Sequence, residues 1–158
     1  MAANEYHFVT QWRLKGTCEQ VYDVLSDVKG LARWWSSVYL KVEVPEEGDE
    51  NGVGKVVNLL TKGFLPYKLK WSFRTTGATK PTGFTLKAFG DFDGMGVWKF
   101  SQVGDEVDVV YDWSISAEKP LLKRLSFLMK PVFSANHRWA MAQGEKGLVE
   151  EMKRRGFT

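Results

Sequence analysis

Residues 119–156 read KPLLKRLSFLMKPVFSANHRWAMAQGEKGLVEEMKRRG. At about 100° per residue, a helix drawn through this stretch gathers Met129, Phe133, Ala140, Gly144, Gly147 and Leu148 on one face and turns Arg138, Glu145 and Lys146 away from it. Pro120 suits a first helical turn and Gly156 a C-cap, while Pro131 should kink the helix by removing a donor and crowding the carbonyl near Phe127. Asn136 and His137 flank the middle of the apolar face. An unpartnered buried amide or imidazole costs about 1 to 3 kcal/mol, so each must meet a hydrogen-bond partner, a water or a ligand.

Working back from this helix, periodicity two takes over. YHFVTQWRLK alternates Phe8, Thr10, Trp12 and Leu14 against His7, Val9, Gln11 and Arg13, which reads as a strand with one wet face. Thr17 and Gln20 have capping-box spacing, and Val21, Tyr22, Leu25 and Val28 supply a helical stripe up to Gly30. GLARWWSS gives a second short helix with Trp34 and Trp35 at its end. Strands follow at 38–44, 54–61, 67–76, 82–92, 96–103 and 106–116, separated by EEGDENG, TKGFLP, TGATKP, DFDG and VGDE. These short breaks carry turn chemistry, so the sheet should be an antiparallel meander.

The chain has 158 residues, 44% hydrophobic and 14% aromatic, a globular balance that fits one domain over 1–158 with no need of a disulfide or metal staple. Cys18, alone, cannot form an intramolecular bridge. MAANEYHF has no basic n-region followed by an apolar h-region, and no apolar run approaches a membrane span, so a soluble cytoplasmic protein is expected. The net charge of +3 is scattered apart from KRR at 153–155, which reads as a solvated helix end rather than a nucleic-acid patch.

A strand, two short helices, six strands and a long terminal helix, in that order, resemble the helix-grip fold of the START and Bet v 1 superfamily. VYDVLSDVKGLARWW (21–35), GDFDGMGVW (90–98) and FSANHRWAMAQGEKGL (133–148) look more narrowly like a bacterial polyketide cyclase/dehydrase-type member. The resemblance implies an α+β fold: a curved seven-stranded antiparallel sheet wrapped around the C-terminal helix, with an elongated chamber between them. Fold analogy carries a cavity further than it carries a reaction.

Strand parity, with charged positions outward, turns Tyr67, Leu69, Trp71 and Phe73 inward, then Trp98 and Phe100, then Val107, Val109, Tyr111, Trp113 and Ile115. Lys68, Lys70, Arg74, Asp108 and Asp112 fall on the other face. Opposite this aromatic surface the helix presents Phe133, Asn136, His137, Ala140, Met141 and Gly144, whose small members leave room. The aromatic set is either solid core or chamber lining. Trp35 either plugs one end or stands at the mouth beside the apolar TKGFLPY loop. Asn136 suits a grip on a loop backbone. His137 meets either a structural partner such as a Tyr hydroxyl or a ligand.

Motifs for most enzyme chemistry are missing: GxSxG, a P-loop, GxGxxG, HExxH and CxxC do not occur. GDFDGMG has no following helix or Lys, and its two Asp would repel phosphate, so it reads as a hairpin turn. With His7 on the wet face, no metal site is expected, and no cofactor. Nothing pairs Cys18 with a histidine as a nucleophile would need.

Three functions remain. The first is a carrier or binder of a hydrophobic, aromatic, polyketide- or lipid-like molecule through Trp35, Tyr67, Trp71, Phe73, Trp98, Phe100, Tyr111, Trp113, Phe133, Asn136, His137 and Met141. The second is a cyclase or aromatase in which His137 or Tyr111 exchanges a proton. The third is a partner-binding, co-chaperone-like domain using the sheet exterior or the Phe64–Leu65 patch. A monomer or weak homodimer is expected in each.

Overall fold

In the computed structural model, which describes residues 3–158, the alternating segments become one curved antiparallel sheet. Met1 and Ala2, which open the N-terminal stretch read above, lie outside the described residues. The strands are β1 (Glu5–Lys15), β2 (Tyr39–Glu46), β3 (Val56–Thr61), β4 (Leu69–Thr79), β5 (Gly83–Gly90), β6 (Phe92–Val103) and β7 (Glu106–Ala117). Their order, β1-β7-β6-β5-β4-β3-β2, is a meander from β2 to β7 with β1 laid against its last strand. Between β1 and β2 lie α1 (Cys18–Ser26), a 3-10 turn over Val28–Gly30, and α2 (Leu31–Trp34). The chain closes with α3 (Pro120–Arg154), which runs through Pro131 without a break.

The expected parity holds: Leu69, Trp71, Phe73, Trp98, Phe100, Val107, Val109, Tyr111, Trp113 and Ile115 are all buried. Thr17 and Gln20 form the reciprocal capping box at α1. Most strand boundaries shift by one to three residues, β4 running over Leu69–Thr79 rather than 67–76 so that Tyr67 precedes it, and the start of β6 shifts by four. DFDG is not wholly a break, because β6 already begins at Phe92, with Gly94 paired to Ala88 and Ile115. The inward positions 94 and 96 are glycines, so hydropathy alternation falls silent where the strand has begun. Asp91 holds the tightened hairpin by accepting the Lys70 amide at 2.7 Å.

Two contacts seat α3. Near its start Tyr6 donates its hydroxyl to the fully buried Ser126 at 2.8 Å, and Ser126 donates to the Leu122 carbonyl at 2.6 Å. Near its end lie Gly144, which was expected to leave room, and Gly147, and neither does. A Cβ at Gly144 would overlap the Trp35 ring, and one at Gly147 would overlap the Trp34 carbonyl. The stacked Trp34–Trp35 pair, 5.6 Å between centroids, occupies that space, so the small residues are a seat for α2.

The KRR run also differs from its reading as a solvated helix end. Glu151, only 2% exposed, accepts from Arg33 at 2.7 and 2.9 Å, from Arg154 at 2.8 Å twice, and from Arg155 at 2.8 Å. Arg155 also reaches Asp27 at 3.2 Å. A buried carboxylate persists only with such pairing. The Arg154, Arg33 and Arg155 guanidiniums, in that order, hold the Glu151 carboxyl well below the usual range against the opposing effect of its burial. A depressed folded-state pKa contributes stability above the unfolded value, near 4.5, that is lost as pH falls toward the folded value. Glu151→Gln is therefore expected to lower stability by about 1 to 3 kcal/mol at neutral pH. Urea titrations of both proteins from pH 7 to pH 3 should show the difference shrinking below about pH 4.5; a constant difference would contradict the electrostatic account.

Candidate functional site

Two cavities among the described residues lie between the sheet and the helices. The larger, about 300 Å³, is walled by Phe73, Leu86 and Trp98 from the sheet and by Tyr22, Leu25 and Leu31 from the helical segment. Its rim is polar, with Asp23, Glu50, Asn51, Lys55 and Lys80; Lys80 pairs with Asp23 at 3.2 Å. The smaller, about 110 Å³, lies under α3 between Phe8, Tyr67, Trp113, Phe133, His137 and Met141. Trp35, Tyr39, Trp71 and Tyr111 line both cavities and form the partition between them.

The partition is half tethered. Trp35 donates its indole N–H to the Ala140 carbonyl, and Trp71 donates to the buried Thr61 hydroxyl, each at 3.0 Å. Tyr111 stacks on Trp98 at 4.0 Å and 13°, while Tyr39 meets Trp35 edge-on at 4.9 Å. Burial pushes both tyrosine hydroxyls well above their ordinary pKa, and it pushes Tyr67 up to about 12.

Adjacent residues of α3 play different parts. Asn136 Oδ1 accepts the amides of Phe64 at 2.8 Å and Leu65 at 3.3 Å, tying the loop between β3 and β4 to the helix. The approach is so close that a Cβ at Gly63 would overlap the Asn136 side chain. His137 instead stacks face to face on Phe8, 4.0 Å between centroids and 16° between planes. Its Nε2 is buried and has no hydrogen-bond partner among the described residues, so the Tyr111 hydroxyl is not its partner here. Desolvation, with a smaller contribution from Arg138, lowers its pKa to about 4.

A family model described as "Polyketide cyclase / dehydrase and lipid transport" matches residues 6–153. The chain belongs to this family. No curated protein matches the sequence significantly. Among solved structures, TTHA0849 from Thermus thermophilus is 17% identical, covers 92% of this chain and 99% of its own, and superposes with a TM-score of 0.73. The Zhui aromatase/cyclase from a Streptomyces species is 18% identical, with 96% and 95% covered and a TM-score of 0.71. Norcoclaurine synthase from Thalictrum flavum is 11% identical, with 94% and 86% covered and a TM-score of 0.62. At these identities the likeness is one of fold.

Within this helix-grip member of the polyketide cyclase/dehydrase family, the residues singled out from the sequence divide between the chambers. Phe73 and Trp98 face the larger; Tyr67, Trp113, Phe133, Asn136, His137 and Met141 face the smaller; Trp35, Trp71 and Tyr111 face both. Phe100 faces neither, being packed into the core 5.9 Å from Phe84 and 6.2 Å from Tyr22. Sequence reasoning missed Tyr39 and the charged rim. Tyr39 opens a strand whose burial alternates weakly, and the rim assembles loops far apart in the chain. Phe8 lay on the inward parity of β1, but nothing local pointed to its stacking on His137. Among the described residues no group of three His, Cys, Asp or Glu is placed to hold a metal ion.

Two expectations follow from the helix pair. Asn136→Ala leaves the Phe64 and Leu65 amides unmet, so hydrogen exchange at those two positions should accelerate by at least about tenfold, with a stability loss of about 1 to 3 kcal/mol; unchanged protection would mean that the loop is held otherwise. For His137, a folded-state pKa below the unfolded 6.5 means that the unfolded chain binds more protons between pH 6.5 and about 4, so stability should fall on acidification through that window. His137→Phe should remove this part of the slope. NMR titration of His137 near its reference value would contradict the buried placement.

Proposed function

We propose that this protein binds a hydrophobic, ring-bearing small molecule between the sheet and the helices, and that a hydroxyl or carbonyl of that molecule meets His137. One observation carries the reading: an unpartnered imidazole nitrogen enclosed among aromatic side chains. A buried polar atom without a partner is costly, so a ligand that supplies one gains affinity and orientation together. Neutral at physiological pH, the ring offers one donor and one acceptor, and the Phe8 stack fixes its plane. The larger chamber reaches the lower end of the volumes typical of ligand pockets, roughly 300 Å³, and the smaller falls short of it. The ligand body therefore sits in the larger chamber, and its polar end extends past Tyr39 and Tyr111, the partition members whose side chains make no tethering hydrogen bond among the described residues.

The same nitrogen supports a second reading as a cyclase or aromatase. A neutral imidazole is free to accept a proton, and the desolvation that lowers its pKa makes it a weak base that only an already acidified substrate proton suits, whereas Tyr111, with its pKa pushed far upward, keeps its proton and serves as a hydrogen-bond donor to a carbonyl. In that case His137 moves the proton and Tyr111 orients the substrate. The fold is shared with a protein named as an aromatase/cyclase, a support from likeness alone.

Equilibrium dialysis of 2-naphthol and naphthalene against the protein tests the binding reading. Wild type should prefer the hydroxylated ring by about 5- to 100-fold, the scale of one buried polar group met or unmet. His137→Phe should erase the preference while keeping the affinity for naphthalene. Equal binding of the two rings by wild type, or a preference that survives His137→Phe, would defeat the reading.

A further inference from the structure

The first half of α3 is apolar on two opposite sides. Its inner side carries Leu122, Ser126 and Phe133 against the sheet. Its outer side, at helical spacing, carries Leu121, Arg124, Phe127, Leu128, Pro131 and Val132, all exposed, with Phe127 74% and Leu128 66% in contact with solvent. A helix packed on a core is ordinarily polar there. The stripe continues along the same side to Trp139, whose ring meets the exposed Phe64 at 6.1 Å. Elsewhere in the molecule large exposed apolar residues are scattered over separate strands and loops; here they gather on a few turns of one helix.

Charge says what covers this face. Residues 119–144 contain Lys119, Lys123, Arg124, Lys130 and Arg138 and no Asp or Glu. Arg124 lies within the stripe and Lys123 and Arg138 beside it, each exposed. Lys123 makes an exposed pair with Glu118 at 3.3 Å; Arg124 and Arg138 make no ion pair among the described residues. A second copy of the chain docked by a two-fold axis would set Arg124 against basic neighbours, which disfavours a homodimer through this surface.

We propose that this face of α3 docks on the surface of an anionic lipid bilayer. Phe127 and Leu128 enter the boundary between headgroups and acyl chains, and Arg124, Lys123 and Arg138 meet the lipid phosphates. Bulky apolar residues on one side with basic residues along the flanks are what an interfacial helix requires. The association is peripheral, since no helix among the described residues is long and apolar enough to cross a membrane. The smaller chamber lies beneath the same helix, lined by Leu122, Phe133 and His137, but docking does not depend on what that chamber holds.

Co-sedimentation with phosphatidylcholine vesicles, with and without phosphatidylglycerol, tests the proposal. The wild-type protein should partition onto the anionic vesicles at least about tenfold more strongly than onto neutral ones, and high salt should reduce that advantage. Phe127→Ser with Leu128→Ser should lower partition at least about tenfold at an unchanged unfolding midpoint, and Arg124→Gln about fivefold. Wild type that stays in solution with anionic vesicles, or a double variant that partitions like wild type, would overturn the proposal. So would a dimer, seen by analytical ultracentrifugation without lipid, that the double variant abolishes.

Discussion

The seating of Trp34 and Trp35 on the glycines of α3 is the contact on which the rest of the interior depends. A helix laid across a concave sheet has no register of its own; something must fix how far along the sheet it lies and how close it comes. At Gly144 and Gly147 the helix has no side chains, the Trp35 indole and the Trp34 carbonyl fill the vacancy, and the Trp35 N–H reaches the Ala140 carbonyl one turn earlier. The Glu151 cluster then locks the arrangement from outside, since Arg33 on α2 and Arg154 and Arg155 beyond the seat converge on one carboxylate. Steric fit sets the position, and charge-assisted hydrogen bonds resist its slippage.

With α2 and the end of α3 so fixed, the opposite half of α3 spans the sheet without filling it. Trp35, Tyr39, Trp71 and Tyr111 border both chambers and divide one from the other. In such surroundings desolvation dominates the chemistry: it holds His137 neutral and keeps the tyrosine protons in place. The interior is suited to hydrogen bonding with uncharged molecules, while formal charge stays at the rim, on Asp23, Glu50, Lys55 and Lys80.

The fold was legible because periodicity reports burial: strand parity placed Trp71, Trp98, Tyr111 and Trp113 on the inner face, and helical phase turned Asn136 and His137 inward. What periodicity cannot report is which inward residues touch. Gly144 read as space because the indole that fills it belongs to a residue more than a hundred positions earlier. The KRR run read as a solvated helix end because Glu151, which it meets, draws its third arginine, Arg33, from an equally remote part of the chain. Phe100 read as chamber lining since parity distinguishes inside from outside but not core from cavity. The strand start at Phe92 was hidden by Gly94 and Gly96, which carry no hydropathy. Asn136 was the exception, its grip on a loop backbone being suggested by residue type and by its inward helical phase.

The aromatic lining has an optical consequence. Ring centroids link Trp34 to Trp35 at 5.6 Å, Trp35 to Trp12 at 5.9 Å, Trp12 to Trp98 at 5.6 Å, Trp98 to Tyr111 at 4.0 Å, Tyr111 to Trp113 at 5.6 Å and Trp113 to Trp71 at 5.4 Å. Tyr111 lies between Trp98 and Trp113 and hands its excitation to these indoles, so the emission of the folded protein comes from tryptophans that line or adjoin the chambers. A quenching molecule in either chamber lies against Trp35 and Trp71, which border both, so native emission registers that a molecule is occupied and is a poor indicator of which chamber is filled.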